Sequence, residues 1–267
     1  MKIKIILLGL SLFVFSCKNN EELAVCQLTK FITDFPATST LHHDVLTLKD
    51  KRVIQIYSYD LRNYKDTVSR QKIFYEYDAL GKVSKIRDES ASNRIITFEF
   101  VYENGKDFAE KIIQKVNNVQ NNVISIEYDS KGNPTSVESL NLIGVNRTIE
   151  YDNNGNPFRV IRSDFGTLPS VNEHTFDDKR NFFAGIPEIG YYWLLRPLYN
   201  YIPFGPNNIV GTKFYTVQNL DFKEVPDNRT VRETNYNEQG FPTTMNILLE
   251  NQGKTLYSAS KFEYNCQ

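Results

Sequence analysis

Histidine, cysteine and tryptophan are scarce in this chain: three, three and one in 267 residues. Scarcity of the first two removes most routes to a metal centre or an activated nucleophile. His42 and His43 stand side by side in a polar stretch with Pro36 and a Thr/Ser run, which reads as a solvated loop. His174 lies two residues before Phe176 in an alternating run and reads as a sheet residue. The nucleophile elbow Gly-x-Ser-x-Gly, the zinc helix His-Glu-x-x-His and the phosphate-cradling P-loop are all missing. Carboxylates are common, but they fall at turns or alternate along strand faces, and no pair stands out for glycoside hydrolysis. Asp152 to Pro157 offers oxygen ligands at alternate positions, as a calcium loop does. Its sixth position is Pro157 instead of glycine and its twelfth is Ser163 instead of an acid, so it reads as a β-turn. The expectation is a protein that is not an enzyme, with no catalytic, cofactor or metal residues. Basic runs are missing as well. With 31 Lys and Arg against 32 Asp and Glu, the net charge is -1, which argues against nucleic acid as a partner.

Long apolar runs are equally rare. Ile5 to Phe15, behind Lys2 and Lys4, is too short for a permanent membrane helix and reads as the core of an export signal over residues 1–16. Val14-Phe15-Ser16-Cys17 resembles a lipobox, although Phe15 stands where a small residue is usual. The resemblance implies that Cys17 is lipidated and begins the mature protein, with residues 17–25 as a tether that includes Asn19-Asn20-Glu21-Glu22. Lys18 is not the aspartate that retains such proteins at the inner membrane. The expected address is therefore the outer membrane, periplasmic or surface-facing, with the membrane reached through Cys17. Export places Cys26 and Cys266 in an oxidising compartment, where thiols pair. A bridge between them would tie the chain ends together and bring the first and last strands side by side.

What the chain has in quantity is aromatic residues, with 16 Tyr and 18 Phe. Many close one repeated phrase, an alternating strand ending in Tyr-Asp followed by a turn on Gly or Asn. It reads IFYEYDALGK at Ile73–Lys82, ISIEYDSKGNP at Ile124–Pro134 and TIEYDNNGNP at Thr148–Pro157, with looser copies at Phe98–Lys106, His174–Asn181 and Asn235–Pro242. The aromatic before each turn falls at Tyr77, Tyr102, Tyr128, Tyr151 and Phe176, in steps of 25, 26, 23 and 25 residues. Two strands and two turns occupy about that length, so each copy is one hairpin of an antiparallel meander. Asp78, Asp129 and Asp152 are placed to accept backbone hydrogen bonds within the turn, and Gly81, Gly132 and Gly155 to supply its positive φ. Pro134 and Pro157 should open strands or sit where no ladder N–H is needed.

The phrase resembles the YD repeat of Rhs-type bacterial surface proteins. The whole chain resembles a family of bacterial secreted lipoproteins of unknown function, described as having a porin-like β fold. These resemblances imply architecture and no activity. The fold class read here is all-β: an antiparallel meander of about 12–16 strands rolled into a barrel-like or open curved sheet, soluble, in one domain over residues 26–267. A membrane-spanning barrel is disfavoured, because neither strand face carries a sustained lipid-facing band. Strand runs are expected at Val53–Asp60 and from Arg70 onward, whereas Gln27–Asp50 reads as irregular.

Repetition breaks at residues 186–208, where rings cluster among Pro187, Pro197, Pro203 and Pro206. A short helix or turn is expected near Tyr191–Tyr199. Tyr191, Tyr192, Trp193, Arg196, Tyr199 and Tyr201 are the candidate contacts for a glycan or an envelope protein, because exposed rings stack on sugars and anchor interfaces. The competing reading is that the same rings plug the rolled sheet. The function expected is a non-enzymatic envelope lipoprotein that binds a partner or serves a structural role. Two alternatives stand beside it: a carrier holding a hydrophobic ligand inside the barrel, and an unrecognised hydrolase.

Overall fold

The computed structural model describes residues 26–90, 94–103, 105–140, 146–163, 169–183, 188–195, 205–218, 221–225, 229–250 and 253–266. The export signal, Cys17 and the tether lie outside them. Seventeen strands occur among the described residues. In chain order they are β1 (Cys26–Phe35), β2 (Thr40–Lys49), β3 (Arg52–Arg62), β4 (Asp66–Tyr77), β5 (Val83–Ser90), β6 (Ile95–Val101), β7 (Lys111–Val116), β8 (Val119–Tyr128) and β9 (Pro134–Ser139). Then come β10 (Asn146–Tyr151), β11 (Pro157–Arg162), β12 (Ser170–Arg180), β13 (Asn207–Gln218), β14 (Asp221–Glu224), β15 (Thr230–Tyr236), β16 (Pro242–Leu249) and β17 (Thr255–Cys266). A short helix, α1 (Ile189–Leu194), lies between β12 and β13.

Each strand from β1 to β13 pairs antiparallel with the next. β13 then divides its partners. Tyr215 to Gln218 pair with β14, whereas Gly211 and Thr212 pair with β15. β15, β16 and β17 continue the meander, and β17 returns to β1 through pairs such as Phe31↔Phe262 and Thr33↔Ser260. Sixteen strands therefore form a closed ring, with β14 as a flap on β13. Closure leaves the ring without an edge strand.

The alternation of residue types decides which face turns inward. On β6, Phe98 and Phe100 are buried inside the ring while Glu99 points out and meets Lys115 of β7 at 2.6 Å. The outer face is laced with such pairs: Lys30–Glu263 at 3.5 Å, Lys85–Glu76 at 3.0 Å, and Arg159 between Glu150 and Glu173 at 3.5 and 3.8 Å. Exposed pairs of this kind add little stability. They stand at or near the mouth ends of their strands.

Inside, the two halves of the barrel differ. One end carries the Tyr-Asp turns, the paired Cys26 and Cys266, and the insertion between β12 and β13. Near this end the inward residues are apolar, among them Ile73, Ile86, Phe98, Ile112, Ile124 and Ile149. Toward the other end they are polar: Asp44, Ser58, Asp88, Asn122, Arg147 and Asn172 are all buried. That contrast accounts for the one stretch where sequence pattern misled. Gln27–Asp50 holds two ten-residue strands, β1 and β2, in place of an irregular loop. Their inward positions mix Phe31, Leu46, Thr33, His42 and Asp44, and their outward ones mix Ile32, Leu41 and Val45 with Lys30 and Asp34, so no clean apolar-in alternation marks them.

Cys26 and Cys266 form a disulfide that spans 240 residues of sequence and fastens β1 to β17, the seam that closes the ring. Replacing both cysteines with serine is expected to lower the unfolding free energy by about 5 kcal/mol in the chain-entropy description of a loop that spans 240 residues. Denaturant melts of the oxidised protein and the double variant check this, with wild type in reductant expected to fall to the variant's midpoint.

Candidate functional site

The Tyr-Asp turns build the mouth of the barrel. Asp78 Oδ1 accepts from the backbone N–H groups of Leu80 and Lys82, both at 2.9 Å. Asp129 Oδ1 does the same for Lys131 and Asn133 (2.8 and 2.9 Å), and Asp152 Oδ1 for Asn154 and Asn156 (2.9 and 2.8 Å). The apparent calcium loop at Asp152 is thus a turn whose carboxylate is spent on its own backbone. Gly132 has φ 84°, and a Cβ there would also strike the Phe108 ring, so this position excludes every other residue on two counts. Pro134 and Pro157 open β9 and β11, as the missing N–H requires.

The tyrosine of each phrase points inward and does a separate job. Strand pairs β3–β4, β5–β6, β7–β8 and β9–β10 have their connecting turns at the far end and are free to splay at the mouth. There each ladder stops, at Gln55↔Phe74, Lys85↔Glu99, Lys111↔Ser125 and Thr148↔Ser136. Just past each stop a tyrosine hydroxyl donates to the opposite backbone carbonyl. Tyr77 reaches Val53 (2.7 Å), Tyr102 Val83 (2.8 Å), Tyr128 Ala109 (2.8 Å) and Tyr151 Pro134 (2.9 Å). Burial raises the pKa of all four phenols, and neighbouring groups such as Glu188 at Tyr77 push the same way.

The insertion enters through this mouth. Glu188 anchors it by accepting from the Val53 N–H at 3.0 Å and the Tyr77 hydroxyl at 3.3 Å. Beyond it Ile189, Leu194 and Leu195 are fully buried in the core, together with Phe183. Tyr191 packs edge-on against Phe100, ring centroids 5.1 Å apart. Of the residues singled out from sequence, Tyr191 is therefore part of a plug. Tyr192 and Trp193 are seen only as backbone of α1, and Arg196, Tyr199 and Tyr201 lie outside the described residues. A pocket of about 380 Å³ remains between the plug and the turns, bordered by Arg52, Tyr77, Phe108, Tyr128, Glu188 and Tyr191.

In the polar half, His42 is not in a loop but inside β2, held between two carboxylates. Its Nδ1 meets Asp60 Oδ1 at 2.6 Å and its Nε2 meets Asp44 Oδ2 at 2.8 Å. Ser58 donates to Asp44, and Ser69 to Asp60. Burial works against the charged ring, but the hydrogen bonds and negative charges of Asp44 and Asp60 outweigh it and raise the pKa from 6.5 to about 9. Asp60 in turn sits below the usual carboxylate range, because the Ser69 and His42 bonds overcome its burial. Both ring nitrogens are committed and both serines face carboxylates, so this is a charge clamp without a nucleophile. Its one sequence signal, His-x-Asp on one strand face, depends on knowing that β2 is a strand. His43 points outward, stacked on Tyr59 with centroids 4.5 Å apart, and the described residues hold no metal-ligating cluster.

A second space, of about 300 Å³, lies between the plug and the wall of β15, β16, β17 and β1. Rings form its floor: Phe182 and Phe183 meet Phe262 and Phe31, with Phe182–Phe262 centroids 5.0 Å apart and Phe31–Phe183 at 6.4 Å. Met245 and Ile247 form a side. At the far end Phe35 and the half-exposed Tyr257 meet edge-on at 6.0 Å and form a rim. Thr33, Asn208, Arg232, Ser258 and Ser260 add polar groups. Sequence pattern missed this cavity, because Phe31 and Phe35 fall in the stretch whose inward face mixes apolar and polar residues.

Among solved structures, the chain is similar to a porin-like protein from Bacteroides uniformis ATCC 8492, with a TM-score of 0.56 and 10% identity over 90% of this chain and 98% of the other. A porin-like protein from Bacteroides vulgatus ATCC 8482 aligns with a TM-score of 0.44 and 10% identity over 90% and 99%. No protein-family model and no curated protein matches the sequence. The first likeness bears on the fold, where it agrees with the closed all-β barrel.

Two expectations follow from this geometry. Tyr151→Phe deletes one latch and keeps the ring, so it should cost about 1 kcal/mol of stability. Chemical denaturation checks it, with loss of a strand-end amide's protection from hydrogen exchange at the mouth as the local signature. His42→Gln should cost on the order of 2 kcal/mol near neutral and acidic pH. Because the folded pKa of about 9 exceeds the unfolded 6.5, the stabilisation is complete below 6.5 and lost as pH rises through 9. The gap between wild type and variant in urea melts should therefore narrow across that window.

Proposed function

We propose that this protein is a non-enzymatic carrier of the cell envelope, a water-exposed barrel that holds a small apolar ligand in its internal cavity. The observation that supports this reading is the space of about 300 Å³ floored by Phe31, Phe182, Phe183 and Phe262. Its size is at the lower end of the roughly 300–1,000 Å³ typical of small-molecule sites, and its mix of many rings with few polar groups is theirs too. A lipidated Cys17 would tether the chain to the outer membrane through residues 17–25, next to the plugged mouth. The rim at Phe35 and Tyr257 would then face away from the membrane, toward the compartment from which ligand arrives. Such a carrier needs no metal or cofactor, and a net charge of -1 argues against nucleic acid as its partner.

The test is binding of N-phenyl-1-naphthylamine, an apolar dye that fluoresces when shielded from water. Wild type should bind it at one site with micromolar affinity. Met245→Trp and Ile247→Phe, which add volume inside the cavity, should weaken binding at least tenfold while the circular dichroism spectrum stays unchanged. Equal binding by wild type and both folded variants would sink the carrier.

A second reading, a glycan or envelope-protein site, draws on the pocket of about 380 Å³ at the mouth, where rings stand beside Arg52 and Glu188. Phe108→Ala removes an exposed ring from that pocket. On this reading it should abolish glycan-array signals and leave dye binding intact.

A further inference from the structure

The seam that closes the ring also lines the ring-floored cavity, and it does so at three levels. Phe31 pairs with Phe262 at the floor, Thr33 pairs with Ser260 above them, and Ser258 follows on β17 toward the rim. At about 3.3 Å per residue, Ser260 and Ser258 stand about 7 and 13 Å from Phe262 along the strand. Thr33 and Ser260 hydrogen bond to each other at 3.0 Å. A hydroxyl has one proton and two lone pairs, so one member of this pair donates and the other keeps its proton to give. Ser258 is 1% exposed, and its hydroxyl makes no hydrogen bond with the described residues. The other polar groups of the lining are spent. The Asn208 amide donates to the Arg180 carbonyl, and its oxygen accepts from the Phe182 N–H at 3.2 Å. Arg232 already has a partner of its own.

What the cavity has left to offer is a patch of neutral hydroxyls on one side of a ring-lined space. A carboxylate or an ammonium seated there would lose its hydration and meet no free counter-charge among the described residues, which is costly. A neutral oxygen would instead meet donors that lack an acceptor. Rings on the floor suit a ring body better than a flexible chain, because ring faces and edges pack without freezing rotatable bonds. We propose that the cavity takes a neutral cyclic alcohol or ketone, its ring body among Phe31, Phe182, Phe183 and Phe262 and its oxygen on the hydroxyls of Ser258, Ser260 and Thr33. This inference rests on the carrier reading and names its ligand class. At roughly 30 Å³ per non-hydrogen atom, the share of a water molecule in the liquid, about 300 Å³ holds about ten such atoms. 2-Indanol, two fused rings with one hydroxyl, has that number.

The experiment is calorimetric titration of the purified full-length protein with indane, 2-indanol, indane-2-carboxylate and 2-aminoindane, which share a ring body and differ in the group it carries. 2-Indanol should bind about fivefold to tenfold tighter than indane, the gain expected of one or two hydrogen bonds, and the two ions weakest. The triple variant Thr33→Val, Ser258→Ala, Ser260→Ala should bring 2-indanol down to the affinity of indane and leave indane unchanged. Should that variant fail to fold, the order of the four probes on wild type still decides. Equal binding of indane and 2-indanol to wild type, or a preference for 2-indanol that survives the triple variant, overturns the hydroxyl patch while the carrier stands. Tighter binding of the carboxylate or the amine than of 2-indanol overturns the neutral head. Absence of binding by all four overturns both the ligand class and the carrier.

Discussion

Four tyrosine hydroxyls, each donating to a backbone carbonyl one step beyond the end of a ladder, hold the mouth of this barrel closed. The need for them comes from topology. In a meander, alternate strand pairs are joined at one end and open at the other, and an open end leaves backbone carbonyls to find partners in water or in each other. The Tyr-Asp phrase solves both halves of the problem within two residues. Its aspartate rigidifies the turn that joins a strand to the next, and its tyrosine ties the same strand back to the previous one. Because the side chains of adjacent strand residues point to opposite faces, the tyrosine must turn inward when the aspartate turns to the turn's outer side.

Inward tyrosines have a further consequence for the interior. A sixteen-stranded ring is wide enough to leave a water-filled lumen unless something fills it. Here the rings of Tyr77, Tyr102, Tyr128 and Tyr151 narrow the mouth and offer an aromatic collar to the insertion. Glu188 takes up the Val53 N–H and the Tyr77 hydroxyl that Val53 already holds, so plug and latch share one hydrogen-bonded node. Ile189, Leu194 and Leu195 then complete an apolar core that the wall alone could not close. The far half is stabilised differently, by buried polar side chains and the Asp44–His42–Asp60 clamp. The cavity lies on the β15–β1 side, floored by Phe182 and Phe183.

What could be read from the sequence was what is decided within a few residues. Asp78, Asp129 and Asp152 make their bonds two and four residues on, so the turns, the strand-opening prolines and the hairpin count were visible in the pattern. The pairing of Cys26 with Cys266 followed from redox compartment instead of pattern, and with it the contact of first and last strands. The tyrosine acceptors, 17 to 24 residues upstream, leave no local trace. β1 and β2 were hidden because a partly polar interior mixes residue types on both faces and blurs the alternation by which strands are recognised, and β14, four residues long, is too short to register. The insertion was open to two readings, ligand surface or plug. Ile189, Leu194 and Leu195 are buried in the core, as a plug requires, with Tyr191 packed against it, whereas the side chains of Tyr192 and Trp193 lie outside the described ones.

A porin-like fold does not bring a porin's function with it, because function resides in sites and not in strand order. Conduction needs a lipid-facing exterior and a passage from mouth to mouth. Here Lys30–Glu263, Lys115–Glu99 and Arg159 between two glutamates stand on the outer wall near the mouth. One mouth is collared by tyrosines and occupied by α1, and the phenylalanine floor at Phe182 and Phe183 divides the remaining space from it. A vessel with one rim exchanges its contents with one compartment. On the carrier proposal, ligand would enter and leave at the rim of Phe35 and Tyr257.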